Sequence, residues 1–275
     1  MESSTEPREL TLHRLRRCIA LLEGVYGVPK RRGLGPVDIL VQTILSQNTT
    51  SGNTHRAFES LKRRYPDYQA LLDAPDEDVA RSIRCGGLAA IKARRIKEAL
   101  EKIRARKVGG GLAKGDQKAD SGDGAGPGRP VGAGGPGGSG GAGGPGGPGG
   151  AAGRIDLDFL KDLDPKAARD YLLALPGVGP KTAAVVLLFG FNMPLIPVDT
   201  HVNRLSRRLG FVPEAASIGE AEEILEAMTP VDKYCSFHVN LIRHGRAVCK
   251  ARSPACAGCV LGEICPSASR GGQKG

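Results

Sequence analysis

The chain has 275 residues, with 39 lysines and arginines against 29 acids, a formal net charge of +10 and an isoelectric point near 9.4. That length supports one large or two small domains, and the basic excess points to a polyanionic partner, most often nucleic acid. No run reaches membrane-spanning length, the first nine residues are polar and partly acidic rather than signal-like, and the absence of tryptophan argues against stacking platforms for single strands.

Residues 1–8 carry no pattern and are expected to be disordered. Leu12, Leu15, Ile19 and Leu22 then repeat at helical spacing over Leu10 to Val25. Gly33-Leu34-Gly35-Pro36 interrupts the chain before a second helix, Val37 to Leu45. The polar segment from Ser46 to Ser51, which contains Gln47, suits a helix cap. A third helix is expected from Asn53 to Arg63, with shorter ones over Tyr68 to Asp73 and Asp76 to Ile83. Cys85-Gly86-Gly87-Leu88 is a turn into a strong helix, whose apolar stripe is read as Leu88, Ile91, Ile96, Leu100 and Ile103. Lys92, Arg94, Arg95, Lys97, Lys102 and Arg104 form its other face, either solvated or laid along a phosphate backbone.

Ser121 to Gly153 is low-complexity and dominated by glycine. Such composition cannot bury a core, so residues 108–153 are expected to form a disordered insertion in a surface loop. Helical patterns resume at Leu157. Asp164-Pro165 is an N-cap with proline at the first helical position, leading a helix that ends near Ala174. No strand pattern stands out, so the fold class is all-α.

Leu175-Pro176-Gly177-Val178-Gly179-Pro180-Lys181-Thr182 then joins two helices, and the second, Ala183 to Phe189, is apolar all round as in a buried helix. This is a helix-hairpin-helix. Gly177 and Gly179 are expected to supply positive φ and close backbone approach. The unpartnered amides at the start of the second helix, at the positive end of its dipole, suit a phosphate. Lys181 stands in that positive end, where the field disfavours its charge; burial would add to the effect and leave a reactive amine.

In Pro197-Val198-Asp199-Thr200-His201, Asp199 can cap the next helix, where amides also keep a carboxylate ionised. His201 is read as a packed side chain. Helices follow over Glu220 to Met228 and Lys233 to Arg246. Cys249, Cys256, Cys259 and Cys265 have the spacing C-x6-C-x2-C-x5-C, a four-thiolate metal site. Zinc and a [4Fe-4S] cluster both suit four thiolates, and the wide outer gaps suit a loop that wraps a cube. Cys18, Cys85 and Cys235 are read as buried small apolar residues.

The hairpin with its lysine, the Pro-Val-Asp-Thr-His-Val segment and the cysteine spacing together resemble endonuclease III, the lysine-bearing branch of the helix-hairpin-helix DNA glycosylases. The resemblance covers about Leu10 to Pro266, apart from the glycine-rich stretch. It implies a six-helix domain over residues 34–190 and a cluster domain over 191–266. It also implies that the N-terminal helix, residues 9–33, joins the cluster domain, and that 267–275 is a disordered tail. The implied activity is that of a base-excision DNA glycosylase and abasic-site lyase, acting as a monomer on duplex DNA with damaged bases, in the cytoplasm and on the nucleoid. The implied cofactor is a [4Fe-4S] cluster on the four cysteines. Lys181 matches the family's nucleophile, Asp199 its essential carboxylate, Gln47 the residue that fills the space of an extruded base, and Leu88 the wedge. Gly177, Val178, Gly179, Lys250 and Arg252 would contact DNA.

After Gln47 the better-known bacterial members read Ala-Thr-Asp, whereas this chain reads Asn48-Thr49-Thr50, without the acid. A mismatch uracil or thymine glycosylase is therefore the second reading of the substrate. Adenine-removing relatives lack the lysine. A non-catalytic helix-hairpin-helix DNA-binding module, from another class, would need neither Lys181 nor Asp199.

Overall fold

The computed structural model describes residues 8–30, 33–106 and 154–270; the disorder expected of residues 1–7, 108–153 and 271–275 concerns segments outside that set. Among the described residues there are twelve α-helices, four 3-10 turns and no strand. The helices are α1 (Arg8–Tyr26), α2 (Pro36–Leu45), α3 (Ser51–Arg64), α4 (Tyr68–Asp73), α5 (Asp76–Ser82) and α6 (Ala89–Ala105). After the glycine-rich stretch come α7 (Pro165–Leu173), α8 (Pro180–Phe191), α9 (Thr200–Arg208), α10 (Ile218–Met228), α11 (Tyr234–Ala247) and α12 (Pro266–Arg270). α12 is a short helix at the point where the sequence reading begins a tail, and the Ser267 hydroxyl donates to the Arg208 carbonyl at 2.9 Å.

Local chemistry sets the starts of these helices. Thr50 caps α3 by accepting from the Asn53 amide at 3.2 Å. Asp164 caps α7 through the amides of Lys166 and Ala167, with Pro165 at the first position. Ser217 and Glu220 form a reciprocal capping box at α10. α8 ends on Asn192 in the left-handed region, φ 58°.

The buried side chains form two cores. The first draws on α2 to α8, with Leu40, Ile44, Leu61, Leu71, Ile96, Leu172 and Leu187 among its members. Leu100 and Ile103 precede the glycine-rich stretch and Leu157 and Leu160 follow it, yet all four lie in this core. Arg106 also stacks on the Phe159 ring at 3.5 Å, so the two flanks meet. The second core combines Leu15, Cys18, Ile19 and Leu22 of α1 with residues of α9, α10 and α11 and with Leu261. α8 belongs to both: Leu187 faces the first core and Leu188 the second, which explains why it is apolar all round.

The structure departs from the sequence pattern in two places. On α6 the buried stripe is Lys92, Ala93, Ile96, Ala99, Leu100 and Ile103, whereas Ile91 and Leu88 are exposed. Lys92 lies four residues before Ile96 and shares its face; Ile91, five before, does not. Residue type and helical phase disagree at position 92, and phase decides which side chain is buried. Of the three remaining cysteines only Cys18 is buried; Cys235 is half-buried and Cys85 is exposed beside the Leu88 turn.

Candidate active site and cluster loop

The hairpin between α7 and α8 places Lys181 in the first turn of α8. That helix starts from Gly179 with no side-chain cap, and Pro180 contributes no amide. Only Gly177 uses the freedom of glycine, with φ +76°; Gly179 has φ −100°, extended backbone open to any residue. A Cβ on Gly177 would lie 2.9 Å from Cδ of Arg95, whereas one on Gly179 would meet nothing of the chain itself. Val178 between them is buried in the first core.

Asp199 precedes α9 and faces Lys181, with Nζ to Oδ2 at 3.7 Å. Its Oδ1 accepts from the amides of His201 and Val202, at 2.9 and 2.8 Å. The carboxylate is thus divided: one oxygen holds the helix start and the other faces the amine. Asp199 is 9% exposed, whereas the Lys181 side chain is 47% exposed, so the burial expected to act on the lysine is absent.

His238, on α11, is a member of this site that the sequence reading missed. It is buried, and its Nδ1 lies 2.8 Å from the Pro197 carbonyl, which accepts its proton. Burial pulls its pKa down to about 4, with the Asp199 carboxylate opposing and Lys181 adding to the effect. It is a neutral imidazole behind the pair. His201, read as packed, is half-buried, with Nδ1 3.0 Å from Arg204 Nη2.

Gln47 reaches across from the turn between α2 and α3. Its amide donates to the Gly177 carbonyl at 2.9 Å, and its Oε1 accepts from Arg95 at 3.3 Å. Leu88 caps α6 at φ 49°, ψ 39°, a left-handed conformation that costs a leucine about 1–2 kcal/mol, and its side chain is 52% exposed. An exposed leucine in a strained turn has no packing reason to be there. Lys250 and Arg252 are exposed on the loop after α11.

The four cysteines of that loop line one cavity of about 220 Å3. Polar groups are aimed at the sulfurs: Arg208 donates to Cys249 Sγ at 3.2 Å, and His244 Nε2 lies 3.3 Å from Cys259 Sγ. Burial first, then the neighbouring thiols, pushes the Cys259 thiol up, an electrostatic cost that a cationic group removes. Arg208 and Arg204, one turn apart on α9, hold the loop backbone. Arg208 donates to the carbonyls of Lys250 and Ala251, and Arg204 to that of Cys249 at 2.9 Å. Neither arginine was singled out from sequence; a pair four apart on a short, very basic helix was the available signal.

Residues 41–230 match the family model of the HhH-GPD superfamily of base excision DNA repair proteins, and residues 249–265 that of the iron-sulfur binding domain of endonuclease III. Endonuclease III of Thermotoga maritima is 31% identical over 238 residues, 86% of each chain. The chain belongs to the endonuclease III family. Endonuclease III of a Synechocystis strain is 32% identical over 234 residues, 85% of this chain and 82% of that one. Among solved structures, a non-covalent endonuclease III-DNA complex superposes with a TM-score of 0.68 at 26% identity, over 96% of this chain and 99% of that one. A thermostable thymine-DNA glycosylase, 18% identical, shares the fold with a TM-score of 0.67, over 95% of this chain and 98% of that one. As an endonuclease III-family protein the chain takes a [4Fe-4S] cluster as its cofactor, and the thiol-lined cavity and its donors suit such a group. No described helix is long and apolar enough to cross a membrane.

Proposed function

We propose that the chain removes damaged bases, oxidised pyrimidines foremost, from duplex DNA and then cuts the strand by β-elimination. It is a DNA glycosylase and abasic-site lyase of base excision repair. It acts as a monomer, in the cytoplasm and on the nucleoid. The observation that carries the mechanism is the Lys181 amine facing the free oxygen of Asp199 at the start of α8.

In this reading the hairpin amides at Gly177 and Gly179 bind a DNA phosphate, the Val178 amide being taken by the Leu175 carbonyl, and Gly179 leaves room for it. Leu88 enters the duplex from α6, and Gln47 fills the space of the extruded base. As the carboxylate, Asp199 stabilises the positive charge that develops on the sugar, and it takes up a proton from the lysine nitrogen once the bond to C1′ has formed. The amine attacks C1′, the bond from C1′ to the base breaks, and the base leaves with the electron pair. Opening of the sugar ring gives an imine. The imine acidifies the 2′ hydrogen, and its loss expels the 3′ oxygen, which breaks the strand 3′ to the lesion. Cys249, Cys256, Cys259 and Cys265 hold the cluster. When bound, it supplies a four-point brace for the loop that presents Lys250 and Arg252 to phosphates.

One feature favours a second reading of the substrate. Thr50 stands where better-known members carry an acid, and its hydroxyl is occupied in capping α3. A mismatch uracil or thymine glycosylase would not need that acid. Duplexes each bearing one defined lesion separate the two. Excision of an oxidised pyrimidine well ahead of uracil or thymine opposite guanine supports the first reading. The reverse order establishes the second, and cleavage of none of them refutes both.

A further inference from the structure

The Lys92 side chain plays no part in the chemistry above, yet it is 1% exposed. Burial pulls its amine below the usual lysine range, so its position is not one that solvation favours. What holds it is a pair of carbonyls. Nζ donates to Leu45 at 2.8 Å and to Gly86 at 2.7 Å. The Lys92 backbone amide donates to the Leu88 carbonyl at 2.9 Å. Leu45 ends α2, two residues before Gln47, and Gly86 lies two residues before Leu88. A carbonyl at a helix C-terminus carries partial negative charge and suits a cation. One amine therefore straps the segment that carries Gln47 to the segment that carries Leu88. Three residues along α6, Arg95 takes up the Gln47 side chain itself.

We propose that Lys92 is a positioning residue for base extrusion, fixing the spacing between the Gln47 turn and the Leu88 turn so that both enter the duplex together. The proposal rests on the roles given above to Gln47 and Leu88. Without the strap the two turns move independently and fewer bound duplexes reach the extruded state. Steps that need no extrusion should change little, because the Lys92 amine bonds to Leu45 and Gly86 and to neither of the helices that carry Lys181 and Asp199.

The test uses the full-length, cluster-loaded protein. The probe is a duplex with a tetrahydrofuran abasic analogue and 2-aminopurine in the opposite strand, whose fluorescence rises when that base is unstacked. At saturating protein Lys92→Met should lower the rise at least several-fold. Borohydride trapping on a single-stranded abasic oligonucleotide, which needs no wedge, should stay within about twofold of wild type. Leu88→Ala and Gln47→Ala should each lower the fluorescence. Adding Lys92→Met to both should lower it little further, since residues that act as one unit are not additive. If Leu88→Ala and Gln47→Ala leave the signal intact, the wedge-and-plug reading itself fails. If they lower it and Lys92→Met does not, or if Lys92→Met lowers trapping equally, the role of Lys92 is refuted. Should Lys92→Met not fold, Lys92→Gln, with two donors on a shorter stem, carries the same comparison.

Discussion

The two oxygens of Asp199 have different partners: Oδ1 holds the start of α9, and Oδ2 faces Lys181. Asp199→Asn keeps an oxygen for the cap, so the melting temperature should barely move. It removes the charge, so base removal measured in single turnover should slow by on the order of a hundredfold or more. The hairpin glycines should separate in the same way. Gly177→Ala forces a side chain into positive φ against Arg95 and should cost about 1–2 kcal/mol in urea unfolding. Gly179→Ala meets nothing, so stability should hold while duplex affinity falls. Lys181, Asp199 and the four cysteines were legible because each sits in a compact motif. His238, Lys92, Arg204 and Arg208 were not, because they are held by backbone carbonyls distant in sequence, which no local pattern records.

At the scale of elements, α8 and α9 organise the site. The all-apolar α8 was readable as buried, but only packing shows that it divides its faces between two cores. α9 begins at Asp199 and ends with arginines on the cluster loop, so one short helix joins the two. Arg208→Met should therefore speed the loss of the cluster's visible absorbance during chelation, while circular dichroism stays helical. α11 contributes His238, buried and neutral against the segment before α9. Between pH 6.5 and about 4 the unfolded chain takes up a proton there that the folded chain refuses. Stability should thus fall with pH through that window, by up to about 3 kcal/mol. His238→Asn, which can still donate to Pro197, should flatten that part of the profile; an unchanged slope would place its origin elsewhere.

For the whole molecule, the all-α class was evident from the residue patterns, whereas the return of α1 to pack on α11 and complete the second core was an expectation only of the family resemblance. Arg246 of α11 donates to Ser51 of α3 at 2.7 Å and ties the two halves together. With a net charge of +10, duplex affinity should fall steeply with salt, log K against log salt sloping by about −0.9 for each phosphate contact. A flat salt profile would remove the proposed phosphate-bound hairpin. The proposed chemistry turns on Lys181 as the nucleophile. The most direct measurement is borohydride trapping on a duplex with a single abasic site, followed by mass spectrometry of the adduct. A stable protein-DNA adduct mapped to Lys181 is expected, absent from Lys181→Gln, which should retain most of its duplex affinity because the hairpin amides remain. A Lys181→Gln protein that still forms the adduct, or a wild-type adduct mapped to another residue, would contradict it.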